Sequence, residues 1–222
     1  MQPSRDTSIR VIQPLPRITD DCIPPSESCN PESQSSSTEP LAQLRQALKF
    51  ETLLRRITEQ LHSSLDKTQI LQRTVRELTM GLGIKGCNLA LYDLEQGNLT
   101  LCYECLGSKL AAAVSSGAVP LVALNQTMAL ASQADLYQPL LQHQTIQFCS
   151  LEAQEPSSRW RRGRVTCLAC PIQDAEVLLG DLWLFKSKSQ EFSPAEIRLV
   201  QQVAHQCGIA LRKADLHQQA QT

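Results

Sequence analysis

The sequence predicts an α+β domain: one antiparallel β-sheet with helices from the two ends of the chain packed on one face. Three observations lead there. Apolar residues recur at spacings of three and four over residues 41–61, 71–82 and 197–214, which is the repeat of an amphipathic helix. Between these stretches the period falls to two, in short runs joined by polar turns, as in β-hairpins. Strands in the middle of the chain with helices grouped at its ends make a sheet under a helical layer.

Each element has its own local signal. Residues 1–40 read as a disordered tail, because PPSESCNPESQSSSTEP has almost no large apolar side chain to offset its ordering entropy. Leu41, Leu44, Leu48, Phe50, Leu53, Leu54, Ile57 and Leu61 make the first helix, residues 41–62. Asp66 caps a second, whose stripe is Leu71, Val75, Leu78 and Leu82, and Gly81 and Gly83 stop it. In KGCNLALYD and NLTLCYEC alternate residues are apolar, and the polar turn 94–98 between them makes a hairpin. A short helix is expected over residues 127–142, a short strand in TIQFCS and a loop over 152–164. RVTCLACPI and VLLGDLWLF follow as two strands joined by the turn 173–176. The last helix is the best specified. Ser193 is its N-cap, Pro194 stands at the first helical position and Glu196 closes a capping box. Ile197, Val200, Ala204, Cys207, Leu211 and Ala214 then form a heptad-like seam.

Composition excludes several classes. The chain has 222 residues, 42% of them hydrophobic, and 21 basic against 22 acidic side chains. That balance leaves no electrostatic footprint for nucleic acid or a membrane surface. No apolar run approaches the roughly 20 residues of a membrane helix, and the N-terminus has no secretory h-region. A cytoplasmic protein with reduced thiols is expected. Its nine cysteines, an odd number, do not read as a disulfide framework.

The order of elements, the strand at 87–93, ACPI at 169–172, GDLWLF at 180–185 and the closing EFSPAEIRLVQQVAHQCGIALRKADL resemble a GAF domain. The resemblance covers residues 42–216, within a GAF domain placed at 41–219. QILQRTVRELTMGLGIKGCNLALYD further resembles the GAF domains of cyanobacterial and chloroplast-type sensor histidine kinases. The resemblance implies a non-catalytic sensory module of signal transduction, of the two-component kind, which binds a small ligand or a partner and signals through its flanking helices. Kinase activity is not expected, because neither His205 nor His217 has the phosphoacceptor context and no ATP-lid motif is present. No cysteine neighbours His62, His143, His205 or His217, so a covalent bilin is not expected either.

The pairs C-x-x-C at 102–105 and 167–170 admit three readings. Residues i and i+3 of a strand point to opposite faces, so the preferred reading is that these are small buried side chains. The resemblance to redox-sensing kinases gives the second, an iron–sulfur cluster with ligands among Cys102, Cys105, Cys149 and Cys170. The third is a resemblance to free methionine sulfoxide reductases, whose nucleophile lies in an Ala-Cys-Asp string where this chain has Ala169-Cys170-Pro171. The same GAF resemblance implies a ligand pocket lined by Tyr137, His143, Phe148, Cys149, Cys170, Asp181 and Trp183. It further implies a homodimer through helices 41–62 and 194–219, with output through a separate signalling protein. The basic string SRWRRGR, Arg159 to Arg164 around Trp160, reads as a solvated loop.

Overall fold

A computed structural model of the chain describes residues 9–12, 38–115, 124–150, 165–187 and 190–221. Most of the tail and the arginine-rich loop lie outside the described residues. The elements are β1 (Ile9–Ile12), α1 (Thr38–His62), α2 (Lys67–Leu82), β2 (Gly86–Asp93), β3 (Asn98–Leu106), α3 (Ser108–Ser115), β4 (Thr127–Ala129), a 3-10 turn (Leu130–Gln133), α4 (Ala134–Leu141), β5 (Thr145–Ser150), β6 (Val165–Asp174), β7 (Val177–Ser187) and α5 (Pro194–Gln219). The strands form one sheet in the order β1-β5-β6-β7-β2-β3-β4, and every neighbouring pair is antiparallel. The α+β expectation holds.

Local chemistry explains the helix ends. The Asp66 side chain accepts the Thr68 backbone N–H at 2.9 Å, and Gly83 closes α2 in the left-handed region with φ of 62°, where glycine carries no Cβ penalty. Ser193 and Glu196 complete the capping box at the start of α5. Glu196 also receives the Lys186 ammonium at 2.7 Å, both side chains nearly buried. That ion pair fixes the end of β7 against the first turn of α5.

Two cores flank the sheet. On one face Leu53, Ile57 and Leu61 of α1, Ile70, Val75 and Leu78 of α2, and Val200, Val203 and Leu211 of α5 pack onto Leu89, Leu168, Leu182 and Leu184. On the other, Leu130, Leu136, Tyr137 and Leu140 from the 3-10 turn and α4 cover Ala90, Leu101, Ile146, Cys167 and Trp183. The heptad-like seam of α5 is therefore used at home, since Val200, Ala204, Cys207, Leu211 and Ala214 are all buried against the domain's own sheet and helices.

Three expectations need correction. Residues 9–12 belong to the sheet, not to a tail, because IRVI pairs along β5 with Ile9 opposite Phe148 and Ile12 opposite Thr145. The helix expected over 127–142 is shorter. Thr127–Ala129 pairs with Asn98–Thr100 as β4, and regular α-helix starts only at Ala134. The apolar residues of α1 also form two stripes instead of one. Leu53, Ile57 and Leu61 are buried, while Leu41, Leu44 and Leu48 are each more than half exposed. Five residues separate Leu48 from Leu53, a rotation of about 140° at 100° per residue.

Candidate functional site

Strand parity decides what each face of the sheet can do. On β7, Leu182 and Leu184 point to the three long helices, so Asp181 and Trp183 point to the α4 side. Register brings Asn88 of β2 opposite Trp183 and Glu104 of β3 opposite Asn88. Polar side chains thus gather on the α4 face, and Asp181 and Asn88 are fully buried there. The Tyr92 hydroxyl donates to Asp181 Oδ2 at 2.6 Å, a short bond to a charged acceptor.

From Tyr92 a row of aromatic rings runs away from this carboxylate along the α4 face. Tyr92 meets Tyr137 edge-on with centroids 6.4 Å apart. Tyr137 lies 5.9 Å from Trp183, and Phe148 stands edge-on to Trp183 at 5.6 Å. These are the favoured geometries of aromatic pairs. An amphipathic cluster of this kind can stack a planar or apolar group while a buried carboxylate and phenol hold its polar edge.

Of the seven pocket residues expected from the sequence, the structure brings together four: Tyr137, Phe148, Asp181 and Trp183. The other three lie elsewhere. Cys170 points to the helix side, where Thr145 Oγ1 donates to its sulfur at 3.5 Å. Cys149 shares that face by strand parity and sits 3.6 Å from Thr166 Oγ1. His143 occupies the turn after α4 in the left-handed region, φ 61°, and its ring Nδ1 bonds the Gln173 side chain at the β6–β7 hairpin. Sequence reasoning missed Tyr92, Asn88 and Glu104. Alternation along β2 and β3 could have flagged Asn88 and Glu104 as sharing a face, but only the strand order places them beside Trp183.

The cluster expected from Cys102, Cys105, Cys149 and Cys170 does not fit. Cys102 and Cys105 belong to β3, Cys149 to β5 and Cys170 to β6, and β7 and β2 lie between β6 and β3. Three strand spacings separate Cys170 from β3 by roughly 14 Å, too far for thiolates to share one cluster. Among the described residues no group of three His, Cys, Asp or Glu side chains is placed to hold a metal ion. Nor is Cys170 suited to nucleophilic work. Burial pushes its thiol up to about 12, with the Thr145 bond lowering it and Asp181 raising it further. A reactive thiol needs the opposite shift.

The sequence profile of the GAF domain matches residues 50–211. The chain belongs to this family. GAF domains are in general sensory or regulatory modules. Solved structures similar to this one include the GAF domain of a phosphoenolpyruvate-protein phosphotransferase from Coxiella burnetii. It is 19% identical with a TM-score of 0.60, covering 78% of this chain and 98% of that one. The phycocyanobilin-bound GAF domain of a cyanobacterial phytochrome is 16% identical with a TM-score of 0.57, covering 76% and 96%. Free methionine-R-sulfoxide reductase from Neisseria meningitidis, in complex with its substrate, is 13% identical with a TM-score of 0.56, covering 78% and 93%. At these identities the likeness is one of fold. No curated protein matches the chain in sequence.

Proposed function

We propose that this GAF domain is a non-catalytic sensory module. It takes a small organic molecule on the α4 face of the sheet and passes the occupancy on through α1, α2 and α5. The observation that carries the reading is Asp181, buried and bonded by Tyr92, at the end of an aromatic row that runs from Tyr92 through Tyr137 and Trp183 to Phe148. A core that only had to fill space would place apolar side chains there, because a buried carboxylate is costly unless it is hydrogen-bonded. Similar folds solved with a bilin or with a substrate are in line with a ligand on this scaffold. The ligand would present a flat apolar body to Trp183 and a donor to Asp181.

The signal would leave through the helical layer, since β7 contributes Asp181 and Trp183 to one core and Leu182 and Leu184 to the other. A ligand drives such a shift only by binding two arrangements with different affinity. Output through a separate protein of the two-component kind, in the cytoplasm, belongs to the same proposal. Among the described residues no helix is long and apolar enough to cross a membrane. Self-association through the first turns of α1 is also part of it. Leu41, Leu44 and Leu48 project there at heptad spacing, whereas the α5 seam is already covered.

The test is a thermal-shift and tryptophan-fluorescence screen of a metabolite library. Hits should raise the midpoint of the wild type and lose that effect in Asp181→Asn with the fold retained. Hits that act equally on wild type and Asp181→Asn would remove the site from the α4 face. For self-association, light scattering should give a dimer mass that Leu44→Glu converts to a monomer. A monomeric wild type at micromolar concentration would refute it.

A further inference from the structure

We propose that Cys87 and Cys105 form a reversible disulfide across the β2–β3 hairpin, making this edge of the helix–sheet seam a site of oxidation by hydroperoxides. The proposal stands whether or not the α4 face binds a ligand. The sequence draws the eye to pairs within one strand, and those cannot close. Residues three apart on a strand are about 10 Å apart, beyond the roughly 7 Å limit for bridging two Cα atoms. Strand register supplies the partner instead. Cys87 of β2 lies directly opposite Cys105 of β3, and both belong to the core on the helix side, where α2 covers these two strands.

Backbone geometry suits the bond. Gly107 donates its N–H to the Lys85 carbonyl at 2.9 Å, which fixes the phase of the ladder. Two residues along, Cys87 and Cys105 are again a hydrogen-bonded pair, with Cα atoms about 5.5 Å apart. Disulfides span about 4.4–6.8 Å between Cα atoms, most often near this value. Facing Cβ atoms stand about 4.5–5.5 Å apart, hydrogen-bonded pairs at the long end, and a disulfide needs about 3.8 Å. The closure is therefore a local tightening of roughly 1.7 Å. The β2–β3 ladder has slack for it, because the register shifts between Leu89 and Ala90, where Cys102 is the extra residue.

Burial assigns the order of events. Cys105 is half-buried and Cys87 fully buried. The Cys105 thiolate attacks the peroxide, the O–O bond breaks, and the products are a Cys105 sulfenic acid and hydroxide. The Cys87 sulfur then attacks the Cys105 sulfur. The S–S bond forms, the S–OH bond breaks, and the hydroxide leaves with the Cys87 proton as water. Two thiols and one hydroperoxide give one disulfide and two waters, or one water and an alcohol from an organic peroxide. The bond would act on α2 directly, since the Thr79 hydroxyl of that helix, which donates to the Val75 carbonyl at 2.7 Å, also reaches the Cys105 carbonyl at 3.4 Å.

The test uses the whole reduced chain, exposed to hydrogen peroxide, alkylated and cut with trypsin and a glutamate-specific protease. Cleavage after Lys85, Glu95, Glu104 and Lys109 separates Cys87, Cys102 and Cys105 into three peptides. The expected product is residues 86–95 joined to residues 105–109, released by dithiothreitol. Cys102→Ser should give the same product in equal yield, and Cys105→Ser should keep Cys87 reduced. A link through Cys102, a bond between two chains, or Cys105 oxidised to sulfinic acid with Cys87 still alkylatable would overturn the proposal.

Discussion

Gly208 tests how α5 sits on the sheet. A Cβ built there would lie 2.2 Å from the Gln173 carbonyl oxygen, 2.5 Å from its carbon and 3.1 Å from its nitrogen. All three atoms belong to the backbone of β6, so no side chain can swing aside. Contacts under 3.0 Å are essentially never met by real Cβ atoms, and α5 would have to retreat by about an ångström. A gap of that size costs neighbouring pairs a quarter to a half of their dispersion attraction, and Val203, Ala204, Cys207 and Leu211 lie along the contact. Overpacking of a tight core costs about 1–3 kcal/mol, with the upper end apt for a backbone collision. Alanine in a helix recovers about 1 kcal/mol against glycine. The clash wins, and Gly208→Ala should be destabilised by about 2 kcal/mol, or roughly 4–8 °C in Tm. Urea titration followed by circular dichroism measures it, with the slope against urea unchanged. Gly81→Ala is the control, because the atoms nearest its Cβ belong to the Leu53 side chain, the two methyls at 2.4 and 2.6 Å and Cγ at 3.1 Å, which can turn aside, so it should cost less. A Gly208→Ala protein as stable as the parent, or more so, would refute this packing.

Other substitutions probe other joints. Tyr92→Phe removes a hydrogen bond to the buried Asp181 carboxylate and should cost about 1.5–3 kcal/mol in urea unfolding; no change would mean the bond is not made in solution. Glu196→Ala leaves Lys186 without its carboxylate and opens the capping box, so a loss of about 3 kcal/mol is expected, read as a drop in the thermal midpoint. Alkaline stability follows from the buried thiols. Burial holds Cys170 and Cys207 up at about 12 against an ordinary 9.0. The unfolded chain therefore loses protons that the folded chain keeps, and the contribution is complete below pH 9 and lost as pH rises toward 12. Above pH 9 each such thiol steepens the fall by about 1.4 kcal/mol per pH unit. Cys207→Ala should flatten the slope of stability against pH by that amount under reducing conditions. An unchanged slope would show that this thiol is not held protonated.

How much was legible in the sequence depended on whether a feature was local. Ser193, Pro194 and Glu196 carry their helix start within four residues, and the period of two over 87–92 and 99–103 gave β2 and β3. By contrast β1 is four residues in a Ser- and Pro-rich stretch, and only the free edge of β5 makes it a strand. β4 likewise exists because β3 is beside it. On α1 the spacing of three and four holds over Leu41–Leu48 and again from Phe50 to Leu61, and the phase slip between Leu48 and Leu53 turns one stripe outward. The site shows the same limit. Trp183 and Asp181 could be placed on one face from their spacing alone. Which residues meet them across the sheet, Asn88 and Tyr92 among them, depends on strand order, and strand order also scattered the four cysteines expected to share a cluster.

The account rests on the α4 face as a binding site, and the most direct measurement is calorimetric titration of one screened hit against three proteins: wild type, Asp181→Asn and Trp183→Phe. The account predicts one molecule bound per chain, affinity reduced at least tenfold in Asp181→Asn, and Trp183 fluorescence altered on binding. Undiminished affinity in both folded variants would contradict it.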